Sequence, residues 1–221
     1  MKFAPILIAL TLGLTAAAPA FARDAAFDAR IDSLAHGWDH VNFEIRDKPA
    51  QAAAAARLAA QADALAHQYP ARAEPLVWEA IALSTEAGAK GGLGGLALAK
   101  EAKGLLERAE HLNPAALGDG SVYTSLGSLY AQAPGFPVGF GDPAKARAYL
   151  LKSLAASPNG LDSNYFHADF LFRQGQYAGA VKALEKALAA PARPGREIAD
   201  RGRRAEAQAL LTRARQKQQG G

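Results

Sequence analysis

No cysteine occurs among the 221 residues. That absence excludes a disulfide framework, a thiolate metal site and a cysteine nucleophile, and it leaves no thiol for lipid attachment. Long hydrophobic runs are missing too. The apolar stretch from Ile6 to Leu14 covers about 10 residues, against the roughly 20 that cross a bilayer. Lys2 precedes it and Ala20-Phe21-Ala22 follows, the layout of a cleavable secretory leader over residues 1–22. The expectation is export to the periplasm, cleavage after Ala22 and no membrane anchor. No Gly-x-Ser-x-Gly nucleophile elbow occurs. Lys90 lies among glycines from Gly88 to Gly95, but the phosphate-cradling Gly-Lys-Ser/Thr ending and a preceding strand are lacking, so the segment reads as a flexible loop. No cofactor is implied.

Charge of one sign is scarce overall: the formal net charge is +4, and Lys2 leaves with the leader. In an exported protein nucleic acid is not an expected partner. The imbalance sits at the C-terminal end, where Arg193, Arg196, Arg201, Arg203, Arg204, Arg213, Arg215 and Lys217 meet only Glu197, Asp200 and Glu206. Such a run reads as a solvated helix face.

Strand signals are nearly absent. Alanine-rich stretches with leucines three and four apart recur from Ala25 to Arg215, which predicts an all-α fold. Helices are expected over 25–45, 50–68, 74–87, 96–112, 121–131, 143–157, 163–174, 177–189 and 197–216. Gly118-Asp119-Gly120-Ser121 reads as a turn followed by a helix start, with Asp119 or Ser121 as its cap. Tyr69-Pro70, Asn113-Pro114, Ser157-Pro158 and Ala190-Pro191 each close a helix of the same design, an internal repeat.

The repeat resembles tetratricopeptide units, helical pairs of about 34 residues with small residues at the helix contact and a closing proline. One unit carries Tyr123, Leu126, Gly127 and Tyr130, then Ala146, Leu150, Ser153 and Pro158. The next carries Ala168, Gly175, Tyr177, Ala180, Leu184 and Ala187. An earlier unit has Trp78, Ile81 and Ala82, then Ala102, Leu106, Ala109 and Pro114. The small residues let helix axes approach and the aromatics fill the wedge between them. A tetratricopeptide-like helical repeat solenoid or bundle follows, with an atypical helical pair over 23–70, repeats over 71–192 and a basic capping helix and tail over 193–221. Two stretches break the period, 88–95 and 133–142. Both are expected as inserted loops on one edge, and loops on a rigid scaffold commonly carry function.

The segments Leu126-Gly127-Ser128-Leu129-Tyr130, Pro134-Gly135-Phe136-Pro137, Gly139-Phe140-Gly141-Asp142, Asp162-Ser163-Asn164-Tyr165-Phe166 and Ala190-Pro191-Ala192-Arg193-Pro194-Gly195-Arg196 resemble the TatT component family of tripartite ATP-independent periplasmic (TRAP) transporters. The resemblance lies almost wholly in the C-terminal half. It implies a non-enzymatic helical-repeat protein that pairs with a periplasmic solute-binding protein, as a trimer or other homo-oligomer, around a pore in the bundle. Members described in that family are lipoproteins, so a chain without cysteine implies an untethered version.

The candidate binding set joins Trp78 and Tyr130 on the first helices of their units, Phe136, Phe140 and Asp142 on the loop, and Asn164, Tyr165, His167 and Asp169 on one helix. Tyr165 and Asp169, four apart, share a face. Phe136 and Phe140 can either line an apolar entrance or fold back as a plug. The expected ligand is a small apolar or carboxylated molecule held in the bundle. His36 and His40, with Asp39 between them, have the spacing of two metal ligands on one helical face, but a third ligand is not identifiable. The competing functions are a cell-envelope assembly adaptor and a metal-dependent hydrolase using those histidines.

Overall fold

The computed structural model describes residues 24–219, and the expected leader lies outside that range. The chain folds as α1 (Ala25–Phe43), α2 (Lys48–Gln68), α3 (Glu74–Lys90), α4 (Gly92–Leu112), α5 (Ser121–Gln132), α6 (Pro143–Ala156), α7 (Leu161–Arg173), α8 (Tyr177–Leu188) and α9 (Glu197–Gln219). Local chemistry sets most of these limits. Asp24, Asp47 and Asp142 accept first-turn amides of α1, α2 and α6 through their carboxylates, the bonds a helix N-terminus otherwise lacks. Pro49, Pro75 and Pro143 occupy first turns, where no intrahelical amide is needed. At the other end α2, α4, α6 and α8 each stop just ahead of Pro70, Pro114, Pro158 and Pro191. No helix among the described residues is long and apolar enough to cross a membrane.

One expected loop is not a loop. Residues 88–95 belong almost entirely to α3 and α4, which meet at Gly91 with φ +63°. Each interior glycine costs about 1 kcal/mol of helix propensity, but here close packing requires one. A β-carbon at Gly95 would lie 2.5 Å from the Ala87 carbonyl oxygen. The extra length of this unit is therefore two longer helices. The stretch 133–142 is a loop, pinched by a bridge between Gly135 and Gly141.

The odd-numbered helices form an inner layer and the even-numbered ones lie outside it. Each outer helix packs on the two inner helices that flank it. Small residues sit at the contacts as the repeat pattern requires: Ala146, Ala168 and Ala180 are fully buried beside Leu126, Leu150 and Leu184. The inner layer runs α1, α3, α5, α7, α9 and returns to α1, so the solenoid closes into a ring. α9 thus does more than cover the last repeat.

That closing seam is ionic and steric. Asp39 on α1, 1% exposed, accepts from Arg196 Nε at 2.8 Å and Nη2 at 2.6 Å. Phe43 fills the space where Gly202 on α9 has no β-carbon, and the Arg203 guanidinium lies 5.4 Å from the Phe43 ring. The basic C-terminal run is accordingly a solvated face only in part: Arg201, Arg213, Arg215 and Lys217 are exposed. Arg193, Arg196 and Arg203 pair with acids of the same chain, and Arg204 donates to the α8 end carbonyls of Leu188 and Ala190. Its partners Asp39 and Asp162 come from distant sequence, which a local charge count does not see. The seam also separates the histidine pair: His36 Nε2 lies 2.7 Å from the Gly195 carbonyl oxygen, while His40 Nδ1 meets Glu44. Among the described residues no three metal-ligating side chains converge.

Four substitutions test this packing. Gly127→Ala gains up to about 1 kcal/mol of helix propensity. Its β-carbon would sit 2.7 Å from Leu150 Cγ and 3.1 Å from the Leu150 backbone nitrogen, and overpacking costs about 1–3 kcal/mol. Urea denaturation should show net destabilisation; a stabilised variant would mean the α5–α6 contact is looser than described. Arg196→Met strands a buried carboxylate and should cost about 3–5 kcal/mol, part of which Asp39→Asn in the same chain restores. Glu79, 8% exposed on α3, has its carboxyl pushed by burial, with Asp63 and Glu101 adding, from 4.5 up to about 7. A group with a raised folded pKa contributes stability below its unfolded value and loses it as pH rises through the folded one. Wild-type Tm should therefore fall between pH 4.5 and 7 relative to Glu79→Gln, with no difference between the two across that interval counting against the burial of Glu79.

Candidate functional site

Alternation of inner and outer helices makes all five inner helices run the same way, so their N-termini gather at one end of the ring and their C-termini at the other. Two cavities follow that division. The first, about 880 Å³, is lined by the early parts of the inner helices, with Phe27, Ile31, Trp38, Trp78, Ile81 and Phe166 as its apolar wall. The second, about 610 Å³, is lined by the later parts, including Asn42, Thr85, Gln132, Tyr165 and Asp169. They share Trp38, Ile81, Ser125, Phe166 and Arg203, one residue from each inner helix. These five form a collar at which the two cavities meet in tandem along the ring axis.

Buried charge fixes the collar. Asp162 at the start of α7 accepts from Arg193 Nη1 and from Arg203 Nε, both at 2.7 Å. Burial pushes the Asp162 carboxyl up, but the two guanidiniums outweigh it and hold it below the usual carboxylate range. Arg193 also spans to Asp200, and Arg203 to Glu206. The Arg203 guanidinium stands 4.6 Å from the rings of both Tyr165 and Phe166, which holds the two aromatics at the collar. On the α1 side, Trp38 Nε1 donates to Thr85 Oγ1 at 2.9 Å. Leu117, in the first cavity's wall, has φ +69°, a strained conformation for a branched side chain.

The sequence-predicted residues scatter. Trp78 lines the first cavity, and Tyr165 and Asp169 line the second on their shared helical face, Asp169 paired with Arg173 at 2.7 Å. Phe136 is 93% exposed on its loop. Phe140 folds back edge-on against Tyr130, with ring centroids 5.7 Å apart, so the loop is plugged by one phenylalanine and presents the other. The remaining candidates have structural positions. Tyr130 stacks on Tyr149 and donates to Glu107. Asp142 caps α6. Asn164, 2% exposed, donates to the carbonyls of Pro158 and Gly160. His167 is half-buried outside both cavities, its pKa lowered by burial and by Arg147. Asp119 accepts from the Ser121 amide just ahead of α5, whose cap position is Gly120. Trp38, Ser125, Phe166, Arg193 and Arg203 are site residues that the sequence reading passed over. For all but Arg193, which lies between α8 and α9, the signal was equivalence of place on the inner helices, which shows only once the inner faces are known.

No family model matches the chain, and no curated protein matches it. Among solved structures, it is similar to TTC0263, a thermophilic TPR protein of Thermus thermophilus, with a TM-score of 0.53 at 20% identity over 83% of this chain and 91% of that one. At that identity the likeness is one of fold: the protein has a tetratricopeptide-like helical repeat architecture.

Proposed function

We propose that the protein is a non-catalytic periplasmic binding scaffold, resembling the TatT accessory component of TRAP-type transporters, that holds a small ligand inside its ring and docks a solute-binding protein on one edge. The observation that carries this reading is the collar: each inner helix contributes one side chain to the junction of two tandem cavities. A repeat stack needs no such junction for stability, since each unit only has to bury its neighbour's face.

The docking edge is supported by exposed apolar side chains. Leu93 is 80%, Phe136 93% and Val138 58% exposed. A β-carbon at Gly139 would lie 3.3 Å from Leu96 Cδ1, so the α3–α4 corner and the 133–142 loop share one edge. Large exposed apolar groups clustered on a rigid rim mark interaction sites.

Pull-down from periplasmic extract with wild-type protein and with a Phe136→Ser, Val138→Ser variant checks the edge. The wild type should enrich a solute-binding protein and the variant should lose it at unchanged thermal stability. Equal recovery by both would remove the edge from the docking reading, and recovery of envelope assembly factors instead would favour the adaptor function.

A further inference from the structure

The second cavity has a wall built in register. One turn beyond the collar, at spacings of three or four residues that keep the same helical face, stand Asn42, Thr85, Ser128, Asp169 and Glu206, one from each inner helix. This tier is polar, yet its charges are answered from within the wall. Asp169 pairs with Arg173 at 2.7 Å, and Glu206 with Arg203 of the collar. The other three members are neutral hydrogen-bonding groups. Thr85 donates to the Ile81 carbonyl and accepts from Trp38, and Ser128 accepts from Gln132. The Asn42 side-chain amide and the Ser125 hydroxyl, both on half-buried residues of this wall, have no hydrogen-bond partner among the described residues.

The collar gives this polar tier an aromatic floor. Tyr165 and Phe166 meet edge to face with ring centroids 5.2 Å apart, and Trp38 belongs to the same wall. At about 610 Å³ the space lies within the roughly 300–1,000 Å³ of small-molecule sites. Three ligand chemistries can be compared with it. A purely apolar molecule would strip water from Asn42, Ser125 and Ser128 and return no hydrogen bond, which is costly. A lone charge of either sign would leave water to meet carboxylates and guanidiniums that already have partners; the unpaired cations Arg46 and Lys48 stand exposed, beyond this tier. A neutral hydroxylated ring fits both parts, because each hydroxyl can donate and accept while its C–H faces cover aromatic rings.

We infer that the second cavity takes a neutral polyhydroxylated ring, one C–H face on the aromatic collar and its hydroxyls on Asn42, Ser128 and the Asp169–Arg173 pair. The inference rests on the ligand-binding reading above and gives the held molecule a chemical class. That chemistry occurs in monosaccharides and in cyclic polyols.

Calorimetry on the purified protein with matched probes separates these chemistries. At least one of glucose, galactose, mannose and myo-inositol should bind. Cyclohexanol, which keeps a ring but only one hydroxyl, should be weaker by about tenfold or more, the loss expected for one or two unmade hydrogen bonds. Glucuronate and hexanoate should be weaker to a similar degree. A hexose that binds more tightly than myo-inositol points to a sugar, and the reverse order to a cyclic polyol. Asn42→Ala and Ser128→Ala, each at a half-buried position, should weaken the bound probe severalfold at unchanged thermal stability. Binding that neither variant moves would place the probe outside this cavity and overturn the inference. Glucuronate or hexanoate binding as tightly as the best neutral probe would overturn the neutral class while leaving a ligand-binding ring. No binding by any probe would overturn both the class and the held ligand, and the partner docking measured by pull-down would stand unaffected.

Discussion

The bidentate pair between Asp39 and Arg196 is the contact on which the ring depends. A helical-repeat stack grows by nearest-neighbour contacts and has no inherent reason to return to its start. Here residues 157 positions apart are joined, at an entropic cost that rises only slowly with the length of chain enclosed. Ion pairs alone are poor sources of net stability once desolvation is counted. The seam therefore also uses shape, with Phe43 seated over Gly202 and Arg203 against the Phe43 ring. Without that closure α1 and α9 would be two ends of an open arc, and neither cavity would have a complete wall.

A second ionic cluster makes the interior polar without making it unstable. Asp162 bridges Arg193 from the α8–α9 connection and Arg203 from α9, binding α7 to the closing helix. Each guanidinium has a further carboxylate, Asp200 or Glu206. Charges this buried persist only as satisfied networks, and the satisfaction is nearly complete: Arg193 Nη2 is left over. The cluster explains why a C-terminal helix of strongly polar composition packs inward. Arg203 faces the ring and Arg204 the end of α8, while Ala199, Ala207, Leu210, Leu211 and Ala214 bury its contacts with the core.

What could be read in the sequence was what local chemistry controls. Several helix ends followed from prolines, and the small residues Gly127, Ala146, Ala168 and Ala180 announced close helix contacts that the structure contains. The misreadings involve contacts between elements, which local sequence does not show. Glycines at 88–95 suggested a loop because the tertiary contact between Gly95 and Ala87 was invisible. The inward-turned part of the basic tail, Arg193, Arg196 and Arg203, read as solvated because Asp39 and Asp162 lie far upstream. The candidate site was legible only in part for the same reason. Trp78, Tyr165 and Asp169 stood out by residue type, whereas Ser125 and Arg203 acquire meaning only from the ring they help to narrow.

The axis of that ring carries a polarity opposed to its helices. At the end of converging N-termini the unpaired side chains are acidic, Asp28, Asp32 and Asp119. At the end of converging C-termini the lining includes Arg46 and Lys48, neither in an ion pair among the described residues. Helix dipoles make the first end positive and the second negative, so the unpaired side chains oppose the backbone at both ends. Fixed charge at a cavity mouth raises the local concentration of the opposite charge and turns away its own.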